Sequence, residues 1–189
     1  MRAEAQPLVT IEPVPAREVL SLRREITAVW QWATEARLDD LLPRHAARAG
    51  FRFLAARTNR GLAGFAYGFC GGTGHWWHEL VAAAMTPRQR TRWLPDGYFE
   101  LAELHVRPDC QRRGIGGRLH DELLRGVTGP TAVLSTQVDN EPALALYDGR
   151  GWTTILPEVE FGSGRLFCIL GLDLERQRSG FANLRPVSS

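Results

Sequence analysis

The chain has 189 residues, is 44% hydrophobic and 23% charged, and carries a formal net charge of +2, which suits one globular domain with a real core and is too little charge to argue for nucleic acid. Its longest apolar runs, such as residues 81–85, are far too short to span a bilayer. All 23 basic residues are Arg, so a Walker-type P-loop, a Schiff-base lysine and a lysine general base are excluded.

Residues 8–11 form a short apolar stretch before Glu12-Pro13 and read as an opening strand. Val19, Leu22, Ile26, Val29 and Trp30 then recur at helical spacing, with Arg23, Arg24 and Glu25 between them, which predicts an amphipathic helix. A second helix is expected from about residue 39 to 49, stopping at Gly50. Residues 51–57 and 62–69 are strand-like and joined by Thr58-Asn59-Arg60-Gly61 as a hairpin. After the loop 71–74, residues 76–85 suit a helix, and Thr86-Pro87 supplies an N-cap and a first-turn Pro for another that ends near Trp93.

Residues 98–106 make a clear strand, closed by Arg107-Pro108-Asp109 because Pro cannot continue a central ladder. Ile115, Leu119, Leu123 and Val127 recur every four residues, as in a helix packed on a sheet by one face. A strand over 131–138 follows, then a helix capped by Asn140 and ended by Gly149 and Gly151. Residues 152–161 and 165–174 flank Gly162-Ser163-Gly164 as a final hairpin, and the polar residues 175–189 read as a flexible tail. The expectation is a single α/β domain over residues 1–174 with a mixed sheet.

The turn Gln111-Arg112-Arg113-Gly114-Ile115-Gly116-Gly117 lies between a strand and a helix, where unpaired N–H groups and the helix dipole favour an anion. Its glycines let the backbone approach phosphate oxygens, and the two arginines add charge in a geometry that matches phosphate. A dinucleotide fingerprint fits less well, although Asp139 stands where a ribose-binding acid would. Leu119 occupies the third glycine position, Gly114 lies eight residues beyond Val106, and the unit comes late in the chain.

Glu103-Leu104-His105-Val106-Arg107-Pro108 followed by Gln111-Arg112-Arg113-Gly114-Ile115-Gly116, and later Asn140-Glu141-Pro142-Ala143 to Leu146-Tyr147 and Gly151-Trp152, resembles the GNAT superfamily of acetyl-CoA-dependent N-acetyltransferases. The first block matches that family's Q/R-x-x-G-x-G/A motif in full, and the second its Asn-to-Tyr helix. The resemblance implies a mostly antiparallel sheet of six or seven strands flanked by helices and splayed at the CoA site. It further implies that backbone groups of Leu104, His105 and Val106 pair with the pantetheine arm. N–H groups from Gln111 to Gly117 would hold the pyrophosphate, with Arg112, Arg113, Gly114, Ile115 and Gly116 between them, and Asn140 would reach the pantetheine or phosphates while also capping its helix.

Acyl transfer to an amine requires loss of the ammonium proton, stabilisation of the oxyanion and protonation of the CoA thiolate. Glu103 is the candidate general base, on the strand face it shares with His105, with Glu100 and His105 as alternatives. Tyr147 resembles the family's general acid, and a main-chain N–H near Val106 would hold the oxyanion. No cysteine falls where the two motifs would place a nucleophile, which favours direct attack by the amine. Cys70, Cys110 and Cys168 are scattered and suggest no disulfide framework.

The aromatic segment around Tyr67, Phe69, Trp76, Trp77, Trp93 and Tyr98 could line an acceptor pocket or pack as core. His75 and His78 lack further ligands, so no metal is expected. The acceptor is expected to be a small-molecule or peptide amine, without nucleic acid or membrane. A homodimer through the edge of the C-terminal hairpin is allowed. The N-terminus lacks signal-peptide features, which points to the cytoplasm. The alternative activity is an acyl-CoA-binding sensor or partner subunit without turnover.

Overall fold

The computed structural model describes residues 8–30, 35–162 and 164–182. In chain order the strands and helices are β1 (Thr10–Pro13), α1 (Ala16–Val19), α2 (Arg23–Val29), α3 (Glu35–Ala46), β2 (Arg52–Thr58), β3 (Gly61–Cys70), α4 (Trp76–Ala84), α5 (Pro87–Trp93) and β4 (Phe99–Val106). These are followed by α6 (Ile115–Leu124), β5 (Thr131–Gln137), α7 (Glu141–Asp148), β6 (Thr153–Glu160), β7 (Leu166–Asp173) and α8 (Leu174–Ala182). The fold is α/β, with seven strands in a mostly antiparallel sheet. Two compact units divide the chain, Met1–Phe69 with Leu101–Val127, and Cys70–Glu100 with Thr128–Ser189.

In the first unit the strand order is β1-β2-β3-β4. β1 and β2 pair antiparallel from Thr10↔Arg57 to Pro13↔Leu54, and β2 and β3 pair from Arg52↔Gly68 to Thr58↔Gly61. Leu62 to Phe69 of β3 are all buried, as expected of a central strand that reads as a continuous apolar run. Phe53, Phe65 and Tyr67 stack with centroids 5.6 and 5.8 Å from the Phe53 ring, and Val19, Ile26, Leu38 and Leu42 close the core over them. The predicted first helix is interrupted: a 3-10 turn at Leu20–Leu22 separates α1 from α2, yet the apolar stripe of Val19, Ile26, Val29 and Trp30 still faces inward. The next helix starts at Glu35 rather than Asp39, and Arg23 lies 3.5 Å from both of these carboxylates.

In the second unit the order is β4-β5-β7-β6. β4 pairs parallel to β5 at Phe99↔Ala132 and Glu100↔Val133, β5 pairs antiparallel to β7 from Thr131↔Asp173 to Gln137↔Phe167, and β6 pairs antiparallel to β7. Thr86 and Gln89 close a capping box at the start of α5. Val81, Met85, Trp93, Tyr98, Val133, Ile155 and Ile169 form the core. The segment from Glu175, expected as a tail, continues as α8 through Ala182. Asp173 Oδ1 accepts from the Arg176 N–H at 2.9 Å, Gln177 Nε2 donates to the Arg150 carbonyl at 3.0 Å, and Arg178 donates to the Gly129 carbonyl at 3.2 Å. Residues 183–189 of that expected tail, and Ser163 of the final hairpin turn, lie outside the described residues.

Candidate functional site

The end of β4 is set by its neighbour in the first unit. A Cβ on Gly64 of β3 would stand 2.7 Å from the His105 carbonyl oxygen and 3.3 Å from Val106 Cα, so only glycine lets the backbones approach this closely. The Arg107 N–H donates to the Ala63 carbonyl at 2.8 Å and its guanidinium to the Leu62 carbonyl at 3.1 Å, fastening the strand exit. Arg107 also donates to Asp109 at 2.6 Å, a hydrogen bond that holds the Asp109 carboxyl below the usual carboxylate range and raises Arg107.

Beyond the 3-10 turn at Pro108–Cys110, Gln111 folds back so that its Nε2 donates to the Val106 carbonyl at 2.9 Å. Arg112 has φ +62°, the positive-φ non-glycine among the described residues, and Gly114 has φ +76° as the N-cap of α6. Gly114 has no side chain with which to cap this helix. The first N–H groups of α6 are therefore left without a cap from the N-cap residue, while Ile115, Leu119 and Leu123 are buried and anchor the helix. Arg112 and Arg113 are exposed and form no ion pair among the described residues, so their charge is available to an anion at this turn.

On the same strand, Nε2 of His105 stands 2.7 Å from Oε2 of Glu103, both side chains about a quarter exposed. The imidazole lies nearly parallel to the buried Trp30 indole at 5.0 Å and 25°, and tilted on Phe65 at 5.3 Å. The Arg37 guanidinium lies over the same indole at 5.3 Å. Leu104, His105, Val106 and the stretch from Gln111 to Gly117 thus belong to one unit together with Glu103. The contacts of Trp30 and Phe65 with His105 are not visible in local patterning, since both residues read simply as core.

Asn140, Tyr147 and Glu100 belong to the second unit. Asn140 Oδ1 accepts from the Ala143 N–H at 3.3 Å, as an N-cap does. Tyr147 is buried with its ring 5.5 Å from Trp152. Glu100 is buried at 6% exposure on β4. Most of the aromatic segment is core in one unit or the other: Phe65, Tyr67 and Phe69 in the first, Trp93 and Tyr98 in the second, with His78 Nδ1 3.0 Å from the Tyr98 hydroxyl and Trp77 donating to Ser135 at 3.1 Å. Trp76 alone of that set is largely exposed, at 63%.

Among the described residues no group of three or more His, Cys, Asp or Glu could hold a metal ion, and no helix is long and apolar enough to cross a membrane. All three cysteines are free, and burial pushes the Cys168 thiol up. A cavity of about 370 Å³ between Ile11 and the outer face of α6, at Arg118, Asp121, Glu122 and Arg125, includes none of the residues expected to bind or react.

Comparison with known proteins bears on the family and the fold. The sequence pattern of the acetyltransferase (GNAT) family matches residues 17–152. The chain is 38% identical over 128 residues to the GCN5-like protein acetyltransferase Rv2170 of Mycobacterium tuberculosis, covering 64% of this chain and 62% of that protein. It is 39% identical over 61 residues to the N-alpha-acetyltransferase RimI of the same organism, covering 32% of this chain and 39% of that protein. The matches thus span less than two thirds of either relative's own length. The fold is shared with yncA of Salmonella typhimurium, whose structure was solved with its cofactor acetyl-CoA: TM-score 0.61, 18% identity, covering 88% of this chain and 94% of that one.

Proposed function

The chain belongs to the GNAT family of acetyltransferases, and from that premise we propose that it transfers an acetyl group from acetyl-CoA to a primary amine by direct attack. The observation that carries this reading is the start of α6, where the N-cap Gly114 offers no side chain, Arg112 is left-handed, and Arg112 and Arg113 are exposed and form no ion pair among the described residues. That arrangement is chemically suited to a pyrophosphate, and the N–H groups from Gln111 to Gly117 would bind it. Acetyl-CoA supplies the activated acyl group as a thioester. Leu104, His105 and Val106 would present strand backbone to the pantetheine, although the Val106 carbonyl already accepts from Gln111. Asn140 would use its amide N–H₂ there while its oxygen caps α7.

Glu103 accepts the ammonium proton in this scheme, directly or through a water, so that the N–H bonding pair becomes the attacking lone pair. Its partial exposure supports it over the buried Glu100, because a base must reach the acceptor. The main-chain N–H near Val106 holds the oxyanion, and the Tyr147 phenol gives its proton to the departing thiolate. Protein amines are the acceptor class suggested by the activities of the two Mycobacterium tuberculosis relatives. Kinetics of Glu103→Gln and Tyr147→Phe test the roles. Each is expected to lower kcat by about a hundredfold or more, with folding intact by circular dichroism; wild-type kcat and pH profile in both would refute the assignment.

A further inference from the structure

Resting on the amine-acetylation reading, we infer that His105 is a positioning residue that fixes the carboxylate of Glu103 and leaves Oε1 as the atom that takes the proton. A Glu side chain on a strand is free about three torsions, and ordering it costs conformational entropy. A base must nonetheless stand within hydrogen-bond reach of the amine, and small misplacements are costly in rate. The structure holds one oxygen in place: Oε2 accepts from the imidazole at 2.7 Å. Because a carboxylate only accepts, Nε2 of His105 carries the hydrogen whether or not the ring is charged.

The imidazole itself has little freedom. Its plane lies on Trp30 at 5.0 Å and 25° and against Phe65 at 5.3 Å, rings that are 5% and 0% exposed, so turning it would require moving the core. Its backbone is fixed too, since Gly64 admits the His105 carbonyl at a distance no other residue allows. Among the described residues nothing bonds Oε1 of Glu103, and the side chain is 23% exposed. The remaining oxygen is thus accessible and its direction is set through the other. Proton transfer to Oε1 makes one O–H bond and breaks one N–H bond, with the electron pair left on the amine nitrogen.

Two kinetic variants and one spectrum separate this role from the alternatives. His105→Ala is expected to lower kcat by about tenfold to a hundredfold with KM for acetyl-CoA unchanged. His105→Gln, whose amide N–H₂ replaces the ring Nε2–H, restores most of it. In a Glu103→Gln background His105→Ala causes no further loss. Wild-type kcat in His105→Ala would overturn the inference, as would a folded His105→Gln as slow as His105→Ala, since the imidazole would then itself take the proton. Wild-type activity in Glu103→Gln would instead remove Glu103 as base. Independently of any amine, long-range 1H–15N spectra of the histidine rings should show His105 with its hydrogen on Nε2, a preference lost in Glu103→Ala; hydrogen on Nδ1 alone in the wild type would refute the positioning whatever the acetylation assay gives.

Discussion

Replacing Gly64 by Ala tests whether the packing of β3 against β4 sets the geometry of the site. The added Cβ would meet the His105 carbonyl oxygen at 2.7 Å, with Val106 Cα and the Leu119 Cδ1 methyl at 3.3 Å. Two of those atoms are backbone, so no rotamer change relieves the clash and β4 must shift by several tenths of an ångström. Overpacking of this kind costs about 1–3 kcal/mol. For a chain of this size about 2 kcal/mol corresponds to a fall in Tm of about 4–8 °C. The shift also carries His105, and through its 2.7 Å hydrogen bond Glu103, so kcat should fall by about tenfold or more at temperatures where the variant is folded. Thermal melts give the stability and a thiol-release assay the rate. Gly72→Ala is the control, because its Cβ would meet nothing within 4 Å and it should melt with the wild type. A Gly64→Ala protein with unchanged Tm and kcat would refute the reasoning.

Arg112→Gly should melt at or above the wild type, since relief of the left-handed backbone, worth about 1–2 kcal/mol, offsets the extra chain freedom of glycine, about 0.5–1 kcal/mol. Its KM for acetyl-CoA should rise because a charge at the turn is lost; titration of both proteins at two salt concentrations checks this. Asn140→Ala removes the Ala143 cap bond and should cost about 1 kcal/mol in a thermal melt. Asp109→Asn should change the acid limb of stability. The folded Asp109 carboxyl is depressed by Arg107, so its contribution is present above the usual carboxylate range and is lost as pH falls through the folded value. The melting gap between the wild type and this variant should accordingly be open at pH 7 and close in acid.

Much of the site is legible in the amino-acid sequence, and the reasons are local. Ile115, Leu119 and Leu123 sit one turn apart, so the helix after the glycine turn shows in its period, and the spacing of the turn residues suggests the candidate anion site. Glu103 and His105 fall two apart on one strand, which places them on one face, although their hydrogen bond depends on rotamers that no pattern encodes. Trp30, at the C-terminal end of α2, meets His105 across 75 positions of chain, a tertiary contact that no neighbour in the sequence announces. The positive φ of Arg112 is equally hidden, because an arginine carries no signal of a left-handed backbone. Gly64 does carry a signal, since glycine inside a strand often marks a close approach, but what approaches it is a tertiary fact. The 3-10 turn at Leu20–Leu22 keeps the apolar stripe intact and so leaves the periodicity undisturbed. α8 escapes notice because it is polar and is tied down through side-chain bonds to distant backbone.

Thiol release from acetyl-CoA, followed across a panel of peptide amino termini, lysine peptides and small amines, tests the central claim most directly. The account predicts amine-dependent release of one thiol for each amide formed with at least one member of the panel, greatly slowed by Glu103→Gln. Acetyl-CoA binding with no amine-dependent release from any of them would contradict it and favour a protein that senses the cofactor without turning it over.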